Sequence, residues 1–190
     1  CIRDSVYATE AEKAKLTVIN NKFGVISLAE LINTNHCPRF KRVFVDKSDL
    51  PIYQPSQIKE LNPSPAAYIS DKTSTDLDAL RVKKGQILMT CSGTVGKVTL
   101  VSNTMDNYIF SHDLLRINVK NERDIGYLYT YFLTELGRLI VSANNYGAVI
   151  KHIEPSHLLS VPVPNAPLLI RKLCNEKIDC LLYTSDAADE

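Results

Sequence analysis

The string from Gly85 to Val98 is the most conspicuous candidate for chemistry, because it sets glycines beside a lysine. It reads Gly-Gln-Ile-Leu-Met-Thr-Cys-Ser-Gly-Thr-Val-Gly-Lys-Val. A phosphate-binding P-loop has four residues between its glycines, and Ser or Thr and then a helix follow its lysine. Here Thr-Val alone separates Gly93 from Gly96, and valine follows Lys97. The spacing therefore predicts a tight turn between strands, whose backbone amides and Lys97 can approach a phosphate.

Two groups of residues have the side-chain types of catalytic or metal sites but lack the spacing. Ser111-His112-Asp113 holds the three members of a catalytic triad, but neighbouring residues of a strand point to opposite faces. His152, Glu154 and His157 have the chemistry of metal ligands, but Pro155 interrupts any helix that would align them. We therefore predict structural roles for the first group, and a turn and a helix cap for the second.

The motifs of DNA-modifying enzymes are absent from the sequence. Adenine methyltransferases carry Asn/Asp-Pro-Pro-Tyr/Phe, whereas the nearest string here is Asn62-Pro-Ser-Pro65. No Asp-x-Lys or Glu-x-Lys of a metal-dependent nuclease occurs, and no G-x-G-x-x-G. The sequence therefore predicts no catalytic residue, no bound cofactor and no metal site in this chain.

Basic residues gather in places that suit a polyanionic partner. Arg39, Lys41 and Arg42 flank Phe40 and Phe44. Others lie in the β-rich middle of the chain, namely Lys83, Lys84, Lys97, Arg116 and Lys151. Lysine and arginine neutralise phosphates, and arginine can read guanine bidentately. From charge alone, a solvated strand face remains the alternative.

Hydrophobic periodicity indicates the elements that position these residues in the first third of the chain. Residues 5–20 are helix-compatible, and Ser27–Glu30 is a capping box that opens a short helix. Arg39–Val45 has the β-branched and aromatic content of a strand. The proline-rich stretch 49–66 is predicted as loop, with one helical turn near Gln57–Leu61.

The rest of the chain alternates strands with two helices. The predicted strands are Gln86–Cys91, Lys97–Val101, Tyr108–His112, Leu114–Val119 and Ala148–Ile153. A helix is predicted over Asp124–Ala143, ended by Asn144, Asn145 and Gly147. A final helix should begin near Ala166 with Asn165 as its cap, and we expect Leu169, Leu173 and Ile178 to form its apolar stripe with Ile170.

Composition is that of an ordinary globular domain, with 45% hydrophobic and 23% charged residues. No apolar run approaches the roughly 20 residues of a membrane span. The five cysteines are scattered, at Cys1, Cys37, Cys91, Cys174 and Cys180. That scatter predicts neither a zinc site nor a disulfide framework, and it fits a reducing cytosol.

Both ends of the chain carry expectations of their own. Because the chain begins with Cys1 rather than Met, we expect its natural start to lie upstream. Cys180–Glu190 matches the translation of a common sequencing adapter, and the apolar periodicity stops after Ile178. We therefore expect this tail to be non-native. Leaving out its three carboxylates raises the formal net charge from +1 to +4, which permits nucleic-acid binding.

Taken in order, six strings resemble the specificity subunits of type I restriction–modification systems. They are Arg39–Val45, Gly85–Val98, Phe110–Arg116, Gly126–Tyr129, Gly147–Pro155 and Val161–Pro164. The resemblance covers about residues 25–179. Each string alone is weak, and their combination and order are specific.

The resemblance implies a protein that reads duplex DNA and performs no chemistry. Such subunits carry two target-recognition domains, each followed by a long helix, and the two helices pair as an antiparallel spacer. They dock methyltransferase subunits and, through them, the restriction subunit. S-adenosylmethionine, ATP and Mg²⁺ are then expected only in those partner subunits. The resemblance also implies a cytoplasmic location without membrane contact.

The resemblance also implies a fold, a domain division and a DNA-binding surface. We expect an α/β (mixed α+β) fold, with a twisted, largely antiparallel sheet region and peripheral helices. Its parts are a helical lead-in at 1–24, the target-recognition domain at 25–164, the start of the spacer helix at 165–179 and the tail at 180–190. The residues expected to bind DNA are Arg39, Lys41, Arg42, Ser92, Thr94, Lys97, Arg116 and Lys151. The alternatives are the recognition domain of a single-chain restriction-methyltransferase and an interaction module that does not bind DNA.

Overall fold

The computed structural model describes residues 2–48, 50–60, 63–72, 76–143 and 152–186. The helices in those ranges are α1 (Ile2–Ile19), α2 (Leu28–Leu31), α3 (Leu77–Leu80), α4 (Ile125–Leu133), α5 (Glu135–Ala143), α6 (Pro155–Leu159) and α7 (Leu168–Asp186). The strands are β1 (Val25–Ser27), β2 (Ile32–His36), β3 (Phe44–Val45), β4 (Pro51–Tyr53), β5 (Ala67–Ile69), β6 (Ile87–Thr90), β7 (Val98–Leu100), β8 (Ile109–Phe110), β9 (Leu114–Val119) and β10 (Pro162–Pro164). Short 3-10 turns lie at Pro55–Lys59 and Glu122–Asp124.

A four-stranded antiparallel sheet, the central sheet, organises the molecule in the order β2-β9-β6-β7. Both faces are buried at β6 and at Leu114–Ile117 of β9, whereas the edge strand β2 exposes Asn33, Asn35 and His36. Alternate residues of β6, Ile87 and Met89, join the core beneath the helices, whereas Leu88 belongs to a second hydrophobic cluster. This double burial explains why β6 is an unbroken apolar run rather than an alternating one.

A second four-stranded sheet covers the other face of the central sheet, in the order β3-β5-β4-β8. Its strands pair antiparallel except β4 and β8, which are parallel. A separate pair, β1 and β10, sets Val25 opposite Pro164. The mixed α/β fold class and the largely antiparallel sheets predicted from the sequence are thus confirmed.

Three strand predictions need correction. Of Arg39–Val45, Phe44 and Val45 alone are in a strand. The sequence analysis missed Ile32–His36, and it assigned Pro51–Tyr53 to a loop. Both of these missed strands are specified by partners far away in the chain, β9 for the first and β5 and β8 for the second, so their own residues carry little signal.

The long helix predicted over Asp124–Ala143 is two helices, because the chain leaves the helical conformation at Thr134. The Thr134 hydroxyl accepts a hydrogen bond from the amide of Gly137, at 3.0 Å, and so satisfies the start of α5. The glycine itself is required there, since a Cβ at Gly137 would lie 2.2 Å from the carbonyl oxygen of Tyr131. The predicted end of this helix at Asn144–Gly147 lies outside the described residues.

The last helix begins at Leu168, and Asn165 does not cap it. The carbonyl of Pro167 accepts the first helical hydrogen bonds, from Ile170 and Arg171. The side-chain oxygen of Asn165 instead accepts from Arg171, at 2.7 Å. The cap prediction was therefore wrong, because the helix begins at Leu168 and Asn165 lies three residues before that start.

Helix α7 packs on α4 so closely that the contact requires glycine. A Cβ at Gly126 would lie 2.6 Å from the Cα of Asn175. The amide of Gly126 donates to Asn175 Oδ1 at 2.6 Å, and Asn175 Nδ2 donates to the carbonyl of Glu122 at 2.9 Å. The asparagine thus bonds to the exposed backbone groups where α4 begins.

A buried ion pair fixes the first turn of α7. Arg171 and Asp124 are 7% and 3% exposed, and their charged groups lie 3.0 Å apart. The same guanidinium donates to the carbonyl of Ala166 and lies 5.4 Å from the ring centre of Tyr127. Removing one partner of such a pair strands a buried charge and costs about 3–5 kcal/mol.

The apolar stripe expected on α7 is divided between two faces. Ile178 is buried against the domain, whereas Leu169 and Leu173 are 69% and 49% exposed. The helix also continues through Asp186, and Leu182 packs on the edge of the core. The helix thus extends beyond residue 179, where the predicted native part of the spacer helix ends, and the non-native origin of Cys180–Glu190 stays a prediction.

Replacing Gly126 by Ala tests the α4–α7 contact. Alanine in an exposed helix stabilises by about 1 kcal/mol relative to glycine. Here the added methyl group must push α7 away, so we expect a loss of about 1–3 kcal/mol in the free energy of unfolding. Urea unfolding measures it, with Lys172→Ala on the exposed side of α7 as the control, expected within about 0.5 kcal/mol of wild type. A Gly126→Ala protein as stable as wild type would contradict the contact.

Candidate nucleic-acid interface

The register of the central sheet brings three chain segments to one of its ends, which we call the loop end. His36 ends β2 opposite Leu115, and Thr90 ends β6 opposite Leu114. Strand β7 starts at the same end, where Val98 pairs with Met89. The segments after His36, between Thr90 and Val98, and before Leu114 therefore emerge together. The opposite end, with Ile32, Ile87, Leu100 and Val119, we call the helix end.

The predicted turn Ser92–Gly96 lies at the loop end and joins two antiparallel strands, as expected. Gly93 and Gly96 have φ of +69° and +85°, a conformation that glycine adopts readily and that suits the predicted tight turn. Thr90 holds the turn from inside: its hydroxyl donates to the carbonyl of Thr94 at 2.5 Å and accepts from the amide of Lys97 at 3.0 Å. The side chains of Thr94 and Lys97 are thereby left exposed on a fixed backbone.

The other predicted DNA-binding residues differ in exposure, and one of them lies outside the described residues. The segment that leaves the sheet after His36 carries Arg39 and Lys41, which are exposed, and Arg42, which is half-buried. Ser92 is half-buried and bridges the backbone of His152. Lys151 lies outside the described residues, as does most of the strand predicted over Ala148–Ile153.

Arg116 is buried and does not lie at the surface of the loop end, so the prediction that it binds DNA is corrected. The residue is 7% exposed on the face of β9 that meets the second hydrophobic cluster. Its guanidinium donates to the carbonyl of Ala79 at 2.7 Å, to that of Leu80, and to Cys37 Sγ at 3.2 Å. The two carbonyls lie at the end of α3, where helical carbonyls lack partners within the helix, so Arg116 ties the second sheet region to the central sheet.

All four histidines of the chain lie at the loop end, which the sequence analysis did not foresee. His36 Nε2 is 2.6 Å from Glu154 Oε2, and His112 is 3.6 Å from the carboxylate of its neighbour Asp113. His157 Nδ1 accepts from the amide of Glu154 at 3.3 Å at the start of α6, which confirms the helix-cap interpretation. The His36–Glu154 pair joins residues 118 apart in the chain, so no local signal could have revealed it.

The sequence analysis excluded a catalytic triad at Ser111–Asp113 and a metal site near Pro155 on structural grounds that need correction. Ser111–Asp113 is not strand but the bend between β8 and β9, and Ser111 is buried with its amide bonded to the carbonyl of Tyr53. Pro155 does not interrupt a helix but is the first residue of α6, where its missing amide hydrogen costs nothing.

Cys91, His36 and Glu154 fall in the order of a nucleophilic relay, but the thiol is not activated. Cys91 Sγ lies 4.0 Å from His36 Nδ1. Burial raises the pKa of the Cys91 thiol to about 11, and the carboxylate of Asp113 adds to the rise. A thiol in that range stays protonated at neutral pH, so this arrangement does not supply a nucleophile.

The described residues hold neither a metal cluster nor a membrane-spanning helix. Within the described ranges, no group of three or more His, Cys, Asp or Glu side chains is placed to hold a metal ion. None of the helices in the same ranges has both the length and the hydropathy to cross a membrane.

Comparison with known families decides what kind of domain this is. The model of the type I restriction modification DNA specificity domain matches residues 20–178, which include the whole of the loop end. The chain belongs to this family. Specificity domains of this family recognise DNA for a restriction–modification complex and are not its catalytic part. No curated protein matches the chain.

Solved structures of specificity subunits share the fold of this specificity domain. The HsdS subunit from Thermoanaerobacter tengcongensis aligns over 97% of this chain and 45% of its own, with a TM-score of 0.58 and 14% identity. The S subunit from M. genitalium aligns over 83% of this chain and 39% of its own, with a TM-score of 0.52 and 14% identity. A structure of complex assembly in the type I R-M system aligns over 97% and 47%, at a TM-score of 0.60 and 14% identity. The chain thus spans less than half the length of each.

Thiol labelling tests the electrostatics at Cys91. With a pKa near 11, about one Cys91 in a thousand is thiolate at pH 8, and burial limits access further. Iodoacetamide should therefore modify exposed Cys180 of the folded specificity domain and spare Cys91, as read by mass spectrometry of peptides. Protein unfolded in urea is the control and should react at both sites. Equal rates at both cysteines in the folded protein would contradict the assignment.

Proposed function

We propose that this specificity domain binds duplex DNA through its loop end and acts as the sequence-reading part of a type I restriction–modification complex. The observation that carries the proposal is the gathering of Arg39, Lys41 and Lys97 at one end of a sheet whose inner strands, β9 and β6, are buried on both faces. Membership of the specificity-domain family supports the choice of DNA as the polyanion. Lysine and arginine fix the register on phosphates, and neighbouring loop side chains read base edges.

In our proposal, the turn Ser92–Gly96 contacts the phosphate backbone of DNA. Its conformation is fixed by Thr90 and by two glycines with positive φ, so little entropy is lost when it meets a phosphate. Exposed Lys97 at its end supplies the charge, and Thr94 a hydroxyl. Arg42 and Lys151 complete the proposed set, and Ser92 contributes through the backbone of the turn.

The proposed partners are methyltransferase subunits and, through them, a restriction subunit. S-adenosylmethionine, ATP and Mg²⁺ would be bound by those partners and not by this domain. Helix α7 lies at the helix end, where Ile178 and Leu182 approach Leu100, and it exposes Leu169 and Leu173 away from the domain. An exposed apolar stripe on a helix that is fixed to its domain suits pairing with a second spacer helix. That the chain covers less than half of the solved subunits is consistent with a second such unit.

The salt dependence of DNA binding tests this proposal. A target is first selected from a random duplex library, and affinity is measured by fluorescence anisotropy at several salt concentrations. Lys41→Ala and Lys97→Ala should each weaken binding to target and mixed-sequence DNA alike and reduce the salt slope by about 1. Lys172→Ala, on α7, is the matched control and should leave both unchanged. Failure of the wild-type chain to bind duplex DNA, or slopes unaltered in both loop variants, would overturn the proposal.

A further inference from the structure

Strand β3 exposes an apolar surface where a sheet edge is normally protected. Val43, Phe44 and Val45 are 46%, 57% and 37% exposed. Because successive residues of a strand point to opposite faces, exposure of all three means that β3 is open on both faces. It is also the end strand of the second sheet, so one backbone edge is unpaired by that sheet. Exposed apolar edges promote aggregation, and proteins normally blunt them.

The backbone of β3 is nevertheless held in place. Phe44 pairs with Ile69 and Val45 with Tyr68 in antiparallel register. The amide of Ser70 donates to the carbonyl of Val43 at 2.8 Å. Residues opposite each other share a face of the sheet, so the phenyl ring of Phe44 lies on the same face as Ile69. Ile69 is buried on that face, whereas Phe44, next to it at the sheet edge, is exposed. The ring is therefore presented on a fixed strand.

The charges around β3 identify the partner. The stretch from 39 to 47 contains four basic residues and one acidic residue, namely Arg39, Lys41, Arg42, Lys47 and Asp46. It leaves the central sheet at the loop end, where the amide of Cys37 donates to the carbonyl of Leu114 at 3.0 Å. An apolar ring among cations complements a polyanion that also offers apolar surface. Duplex DNA does so, through thymine methyl groups and base faces in its grooves.

We propose that Phe44 contacts bases and is a specificity-determining residue of this domain, while Arg39, Lys41 and Arg42 contact phosphates. This inference rests on the proposed function and deepens it. A phenyl ring carries no charge and no hydrogen-bonding group, so it gains nothing from a phosphate. Its contribution depends on which base it meets, and is therefore a contribution to sequence preference rather than to general affinity.

The experiment compares affinity for the selected target with affinity for mixed-sequence duplex. Phe44→Ala should lower target affinity by about tenfold or more, leave mixed-sequence affinity within about twofold, and keep the salt slope of the wild type. Phe44→Leu, which keeps an apolar side chain, should retain more of the target preference. Lys41→Ala should instead lower both affinities together and flatten the slope.

The controls separate this inference from folding and from the proposed function. Leu16→Ala removes an apolar side chain of similar exposure, 56%, from α1 and should change neither affinity. Urea midpoints should agree between wild type and Phe44→Ala, because the ring is largely exposed. A target-to-mixed ratio unchanged in Phe44→Ala, with wild-type DNA binding intact, overturns the role of Phe44 alone. Absence of DNA binding by the wild type overturns the proposed function, and this inference with it.

Discussion

Burial of both faces of the central sheet at its inner strands, β9 and β6, is the constraint on which the rest of the structure depends. Helices pack on one face and residues of the second sheet on the other, so the polar groups of these two strands are either satisfied inside or lie at the strand ends. Arg116 is the clearest case of internal satisfaction: its charge lies in the interior and is bonded to the backbone carbonyls of Ala79 and Leu80. The inner strands therefore meet other molecules through the two ends of the sheet, while the edge strand β2 is also exposed at Asn33, Asn35 and His36.

The two ends differ in what they present to solvent. The loop end presents a turn with a fixed backbone and exposed cationic side chains, which is consistent with the proposed reading of DNA. The helix end fixes α7 by a contact too close for a Cβ at Gly126 and by the buried Arg171–Asp124 pair. Two independent contacts set the direction of that helix relative to the loops, so a partner bound along α7 stands in a defined position relative to bound DNA. In the proposed function, DNA reading and subunit assembly are thereby separated by the length of one sheet.

Local patterns predicted the elements that carry their own signals, and long-range contacts decided the rest. The Ser27 capping box, the glycine turn at Ser92–Gly96 and the apolar strand β6 were found because neighbouring residues specify them. Strand β2 and the His36–Glu154 pair were missed because their partners lie far along the chain. Arg116 was misassigned for a similar reason: basic character and strand position do not reveal whether a side chain points into the core.

Hydrogen–deuterium exchange of the whole chain, with and without its selected target duplex, tests the central claim most directly. If the loop end reads DNA and the helix end does not, binding should slow exchange in the amides of 38–47 and 91–97 and leave α7 (Leu168–Asp186) unchanged. Mixed-sequence duplex should give weaker protection of the same segments. Protection concentrated on α7, with 38–47 and 91–97 unaffected at saturating DNA, would contradict the account.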